Sequence, residues 1–137
     1  MIDVFLDAPL AKGRRSMKAP SALGLAVEKA IELDSRFKRD REAVQYAAFF
    51  RTLLGTRFAI ERVTINHINL WVPELEVARA TAERLGLSVF RSVPSLTGSK
   101  YGRLSTLKTV PGLADEPLYK IPVYRPEQAL DVLSTLP

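Results

Sequence analysis

The sequence predicts an α+β domain: two N-terminal helices, then a βαβββ unit with a curved, mostly antiparallel sheet, and a short C-terminal helix. Three observations carry this. Apolar residues recur at helical spacing between Leu23 and Leu54, the period falls to two from Phe58, and the stretches after Leu87 are short and separated by glycine and proline. A chain of 137 residues, 47% of them hydrophobic and 26% charged, encloses a core and is too apolar for disorder to dominate. The expected division is a basic arm over residues 1–20 and one domain over 21–137, helical to residue 57 and βαβββ-like thereafter.

Pro9, Gly13 and Pro20 interrupt the arm, of which only Met1 to Leu6 reads as extended. Ser21 can accept a hydrogen bond from early helix amides, so a helix begins there, with Leu23, Val27, Ala30 and Ile31 inward and Glu28, Lys29 and Glu32 outward. Asp40 can cap a second helix to Leu54, with Gly55 as its stop. Val44, Ala47, Ala48, Phe50, Leu53 and Leu54 give it a broad apolar face, joined by Tyr46 and Phe49. From Phe58, alternation through Ile60, Ile68, Leu70 and Val72 predicts extended chain to Pro73, which opens the next helix. That helix turns Leu75, Ala78, Ala82 and Leu85 inward and closes at Gly86. Strands are expected over Leu87–Val93, Tyr101–Val110 and Leu118–Tyr124, the last demoted to an edge or a bulge by Pro122. Pro126 starts the final helix, with Ala129, Leu130 and Leu133 inward.

Charge is unevenly placed. Lys12, Arg14, Arg15 and Lys18 contribute +4 with no acid between them; Arg36, Lys38, Arg39 and Arg41 contribute +3 after Asp40 is subtracted. The whole chain carries +5, so everything else sums to −2. Clustered cations attract phosphate backbones or acidic protein surfaces, with an affinity that falls steeply with salt. These eight residues are therefore the candidates for contact with a partner, nucleic acid or acidic protein. No aromatic residue interleaves the first cluster and Phe37 alone lies in the second, so base stacking is not implied.

The absence of cysteine excludes disulfides, a thiol nucleophile and sulfur-ligated metal, and His67 is the one histidine. No apolar run reaches the roughly 18 residues that span a bilayer, and Asp3 and Asp7 precede any basic residue, unlike a secretory signal. The expectation is a cytoplasmic protein without membrane contact.

The stretch from Asn66 through His67, Asn69, Trp71, Pro73 and Ala78, followed by Leu85-Gly86-Leu87, resembles the opening strand and helix of a vicinal-oxygen-chelate module. These are the glyoxalase and extradiol-dioxygenase-like proteins, built from βαβββ units. The resemblance covers about the last half of the chain and implies a curved sheet that pairs with a second module, hence a homodimer or a place in a larger assembly. It also implies that His67 stands where family members carry a metal ligand. Strand alternation would set His67, Asn69 and Trp71 on the concave face, with Tyr101, Arg103 and Lys108 as further ligand-binding candidates. A catalytic metal needs about three protein ligands, and the last strand, Leu118 to Tyr124, has no carboxylate. No metal site, no cofactor and no catalytic residue is therefore expected; His67 is the ligand only if a metal site exists. The function expected is that of a non-catalytic binding or assembly protein, self-associating or docking through its basic N-terminal region and open sheet. The alternatives are a metal-assisted or degenerate enzyme using His67, and a nucleic-acid-binding subunit of a larger complex.

Overall fold

A computed structural model describes residues 19–94 and 103–137. Among them, six strands form one antiparallel sheet in the order β1-β2-β3-β4-β6-β5. The elements follow as α1 (Ala22–Leu33), β1 (Phe37–Arg41), β2 (Ala47–Thr52), β3 (Arg57–Glu61), β4 (Ile68–Pro73), α2 (Glu76–Arg84), β5 (Phe90–Ser92), a 3₁₀ helix (Ser105–Thr109), β6 (Leu118–Val123) and α3 (Pro126–Leu133). The α+β class holds. The predicted extended start and the arm to residue 18 lie outside the described residues.

The second expected helix does not form: Asp40 to Leu54 contributes the end of β1 and all of β2. The apolar residues taken as a broad helical face are a strand buried on both sides. Ala48 and Phe50 enter one core while Ala47 and Phe49 enter the other, and the aromatic content favours the pleated alternative. Extended chain from Phe58 divides into β3 and β4, and the expected strand at Leu87–Val93 shortens to three residues, with Leu87 in the core. The strand expected over Tyr101–Val110 is a correction as well: Ser105–Thr109 is a 3₁₀ helix. Among the described residues two strands, not three, therefore follow α2.

Ser21 caps α1 as its hydroxyl suggested, accepting from Gly24 N at 2.9 Å. Gly24 is required by close approach, since a Cβ there would lie 2.1 Å from the carbonyl oxygen of Arg62. α2 ends in a Schellman motif on Gly86 at φ +80°, with Leu87 N donating to Ala82 O and Gly86 N to Glu83 O. Pro126 opens α3, and the Gln128 side-chain oxygen accepts from the backbone of Tyr124 and Arg125.

The helices cover one face of the sheet. Val27 and Ile31 of α1, Ala78 and Ala82 of α2, and Ala129 and Val132 of α3 share a core with Phe50, Ile60, Leu70 and Ile121. On the opposite face a smaller core forms where Leu107, Val110 and Leu113 lie over Phe49, Ala59 and Trp71. Pro122 sits in β6, between β4 and β5, not in an edge strand. Because β5 pairs only with Leu118 to Lys120, β6 has a neighbour on one side alone at Pro122. That is where a residue without an N–H fits.

Candidate functional site: a cationic sheet face

On the face opposite the helices, Lys38 of β1 pairs with Arg51 of β2, and Arg51 pairs with Arg57 of β3. Three cations thus stand directly side by side across three strands. Adjacent strands are about 4.8 Å apart, so the row is about 10 Å long. Like charges in directly opposed positions destabilise a sheet, and this row makes that juxtaposition twice.

A β-bulge adds to it. The β1–β2 register shifts between Arg39 and Arg41, so Arg41 pairs with Phe49, a residue of the smaller core, instead of turning toward the helices. Asp40, left unpaired in the bulge, shares the face of Lys38 by strand alternation. Its carboxylate, 7% exposed, lies 3.3 Å from Arg41 Nε, 3.3 Å from Arg57 Nε and 3.8 Å from Arg51 Nε. The three arginine side chains keep 39–45% of their surface in water. Arg57 is further fixed by donating from Nη1 to Pro111 O at 3.0 Å, and the Gly112 turn packs on its side chain. Arg41 stacks over the Phe49 ring at 6.0 Å. Lys38, Arg41, Arg51 and Arg57 against Asp40 leave a local charge of +3, and no other carboxylate among the described residues lies within salt-bridge distance of these four.

The second basic cluster of the sequence is therefore split by the strand. Lys38 and Arg41 join the row, whereas Arg36 and Arg39 turn to the helix side. Arg36 binds Asp34, and this hydrogen bond holds the Asp34 carboxyl below the usual carboxylate range. Arg39 reaches Glu28 and Glu32 of α1. Glu28 was expected in solvent; it is 6% exposed, receiving Arg39 and Arg62 at 2.9 Å each. Lys12, Arg14, Arg15 and Lys18 lie outside the described residues.

The residues expected on a concave ligand site do not converge. Asn69 and Trp71 share a face as alternation predicted, but both donate to one oxygen of Glu61, at 3.1 and 2.8 Å, and Trp71 is 1% exposed. His67 precedes β4 and lies beside Tyr124, ring centres 6.2 Å apart and planes tilted by 53°. Arg103 is buried and acts as a clamp, donating to Ser92 Oγ and O and to the carbonyls of Leu113 and Ala114 at 2.6–3.1 Å. It anchors the segment that covers the second core. Lys108 is exposed on the 3₁₀ helix, and Tyr101 lies outside the described residues. Among the described residues no three His, Cys, Asp or Glu side chains gather as a metal site would require. No described helix is long and apolar enough to cross a membrane.

Arg51 and Arg57 were missed by sequence reasoning because Arg51 was placed on a helix and Arg57 in a connection. The available signal was the run Arg51-Thr52-Leu53-Leu54-Gly55-Thr56-Arg57: Gly55, at φ +96°, closes a hairpin that sets its flanking arginines opposite each other. Comparison with family models, curated proteins and solved structures finds no match to this chain.

Proposed function

We propose that this is a non-catalytic binding protein that docks on a polyanionic partner through the face carrying Lys38, Arg41, Arg51 and Arg57. The observation that carries the reading is the cross-strand row of Lys38, Arg51 and Arg57, a juxtaposition that costs stability and is offset by the single carboxylate of Asp40. An anion supplied by a partner would relieve it. Arginine forks half in water keep donors free for oxyanions, which they bind in a bidentate manner.

Retention on immobilised heparin, a sulfated polyanion, tests this. The full chain should elute at higher salt than the variant Lys38→Ala/Arg51→Ala/Arg57→Ala, and circular dichroism should find both equally folded. Because the arm is also basic, the variant Lys12→Ala/Arg14→Ala/Arg15→Ala/Lys18→Ala is run beside them. If the arm variant loses all retention and the sheet variant none, the reading fails.

A second reading, self-association, is favoured by one observation on the helix side. Leu53 and Leu54, 62% and 85% exposed at the β2–β3 tip, border a groove of about 170 Å³ lined by Phe37, Leu133 and Leu136. A projection and a recess in one patch suit two-fold pairing of identical chains. Light scattering across a concentration series should detect a dimer that Leu54→Asp abolishes; a strictly monomeric wild-type chain ends this reading.

A further inference from the structure

We infer that the polyanion is the phosphate backbone of a nucleic-acid duplex, bound without reading its base sequence. This rests on the reading above and narrows its partner to one class. The argument comes from what surrounds the cations. The residues between and beneath them are closed to a ligand: Phe49 is 2% exposed, Trp71 1%, and Ala47 and Ala59 0%. Binding to single strands without sequence preference relies on aromatic faces on which bases stack, and β1, β2 and β3, which carry the row, present none to solvent on this face. Phe90, 52% exposed, lies on β5 at the opposite edge of the sheet, with Lys120 over its ring. A protein partner would need an apolar or aromatic anchor at the centre of its contact. The exposed leucines of the hairpin tip instead line the groove with Phe37 and Leu133, residues of the helix-side core. What remains around the row is positive charge and N–H donors, the equipment of backbone contact.

The geometry suits a rod. The row begins on β1, an edge strand, so one end is open at the rim of the sheet. A duplex carries one charge per about 1.7 Å of axis, so a row of about 10 Å meets several phosphates at once. Arg57, braced by Asp40 and Pro111, is the fixed end, and Lys38 is the exposed end at the rim.

Fluorescence anisotropy of the full chain tests this with four probes: two 20-base-pair duplexes of unrelated sequence, one of their single strands, and a polyglutamate peptide of matched charge. Both duplexes should bind with equal affinity, more tightly than the single strand and the peptide. Arg51→Ala/Arg57→Ala should weaken duplex binding at least tenfold at 0.1 M salt and flatten the plot of log K against log salt by about 1.8. Lys38→Glu, on the solvent-exposed edge and opposite Arg51, should weaken it without lowering the melting temperature. Tighter binding to the single strand or peptide than to the duplexes overturns the inference and leaves the polyanion reading standing. Duplex binding that discriminates between the two sequences, or that both variants leave unchanged, also overturns it. No binding to any probe removes the broader reading too.

Discussion

Glu28 and Asp40 are both nearly buried carboxylates, 8% and 7% exposed at the side chain, and both gather arginines, yet they make opposite kinds of site. Glu28 receives Arg39 and Arg62, and Glu32 shares Arg39, so two acids meet two bases and the charge closes to zero. Its partners are 30% and 19% exposed. Asp40 alone meets three arginines, which remain 39–45% exposed, and Lys38 adds a fourth positive charge beside them. A neutral cluster between a helix and a sheet pins α1 in place and carries no net charge to attract a ligand. A cationic cluster open to water attracts one. Arg39 and Arg41 stand two residues apart in one strand, and a single-residue bulge assigns one to each site.

The sharpest way to break this contrast is to remove the acid from each. Glu28→Ala leaves Arg62 without its carboxylate and Arg39 with Glu32 alone, and should cost about 3 kcal/mol, toward the low end for breaking a buried pair because Arg39 keeps that partner and reaches water. The urea midpoint should fall accordingly, while polyanion binding stays as in wild type. A loss under 1 kcal/mol would mean that the closed site is not structural. Gly24→Ala attacks the same site from the backbone side, because the new methyl would overlap Arg62 O, which accepts from Ser21 N at 2.9 Å. Overpacking of this kind costs about 2 kcal/mol; an unchanged thermal melt would show that α1 can shift freely.

Asp40→Asn should separate the two measurements. Its arginines are largely hydrated, so losing the carboxylate costs only about 1 kcal/mol of stability. Binding to heparin or duplex should tighten, because the local charge rises by one and the salt dependence steepens by about 0.9. Weaker binding in this variant would mean that Asp40 orients the arginines for contact, and the picture of a simple excess of charge would fail.

These contrasts were only partly legible in the sequence. The Ser21 cap, the α2 stripe from Ala78 to Ala82, the Gly86 stop and the Pro126 start were correctly placed because each depends on local chemistry. β2 was lost because a strand buried on both faces has no alternation, and its apolar run satisfies helical spacing equally well. With β2 went the register, and register alone brings Lys38, Arg51 and Arg57 together across 19 residues of chain. Glu28 was placed in solvent because charge predicts exposure unless a partner is known, and Arg62 lies 34 residues away. The described members of the concave ligand set around His67 stand apart for a different reason. Alternation correctly paired Asn69 with Trp71, but periodicity says nothing about the Glu61 carboxylate that satisfies both.

Asp34 gives the smallest test, and it concerns the boundary between the two sites. Arg36, the first cation of the second basic cluster, is drawn to the helix side by this acid, mainly through a side-chain hydrogen bond that lowers the Asp34 pKa. A carboxyl depressed in the folded state stabilises the fold at pH values above its unfolded pKa, about 3.9, and loses that contribution as pH falls through the depressed folded value. Both groups reach water, so the effect on stability is slight and the direct readout is the titration itself. In carboxyl-detected NMR the Asp34 midpoint should lie below that of an unstructured peptide and rise in Arg36→Ala, which removes the side-chain hydrogen bond and keeps the backbone one. That variant should leave duplex binding unchanged, since Arg36 already has its counter-charge. A marked loss of binding would move Arg36 into the cationic site and erase the division that the strand draws between its two faces.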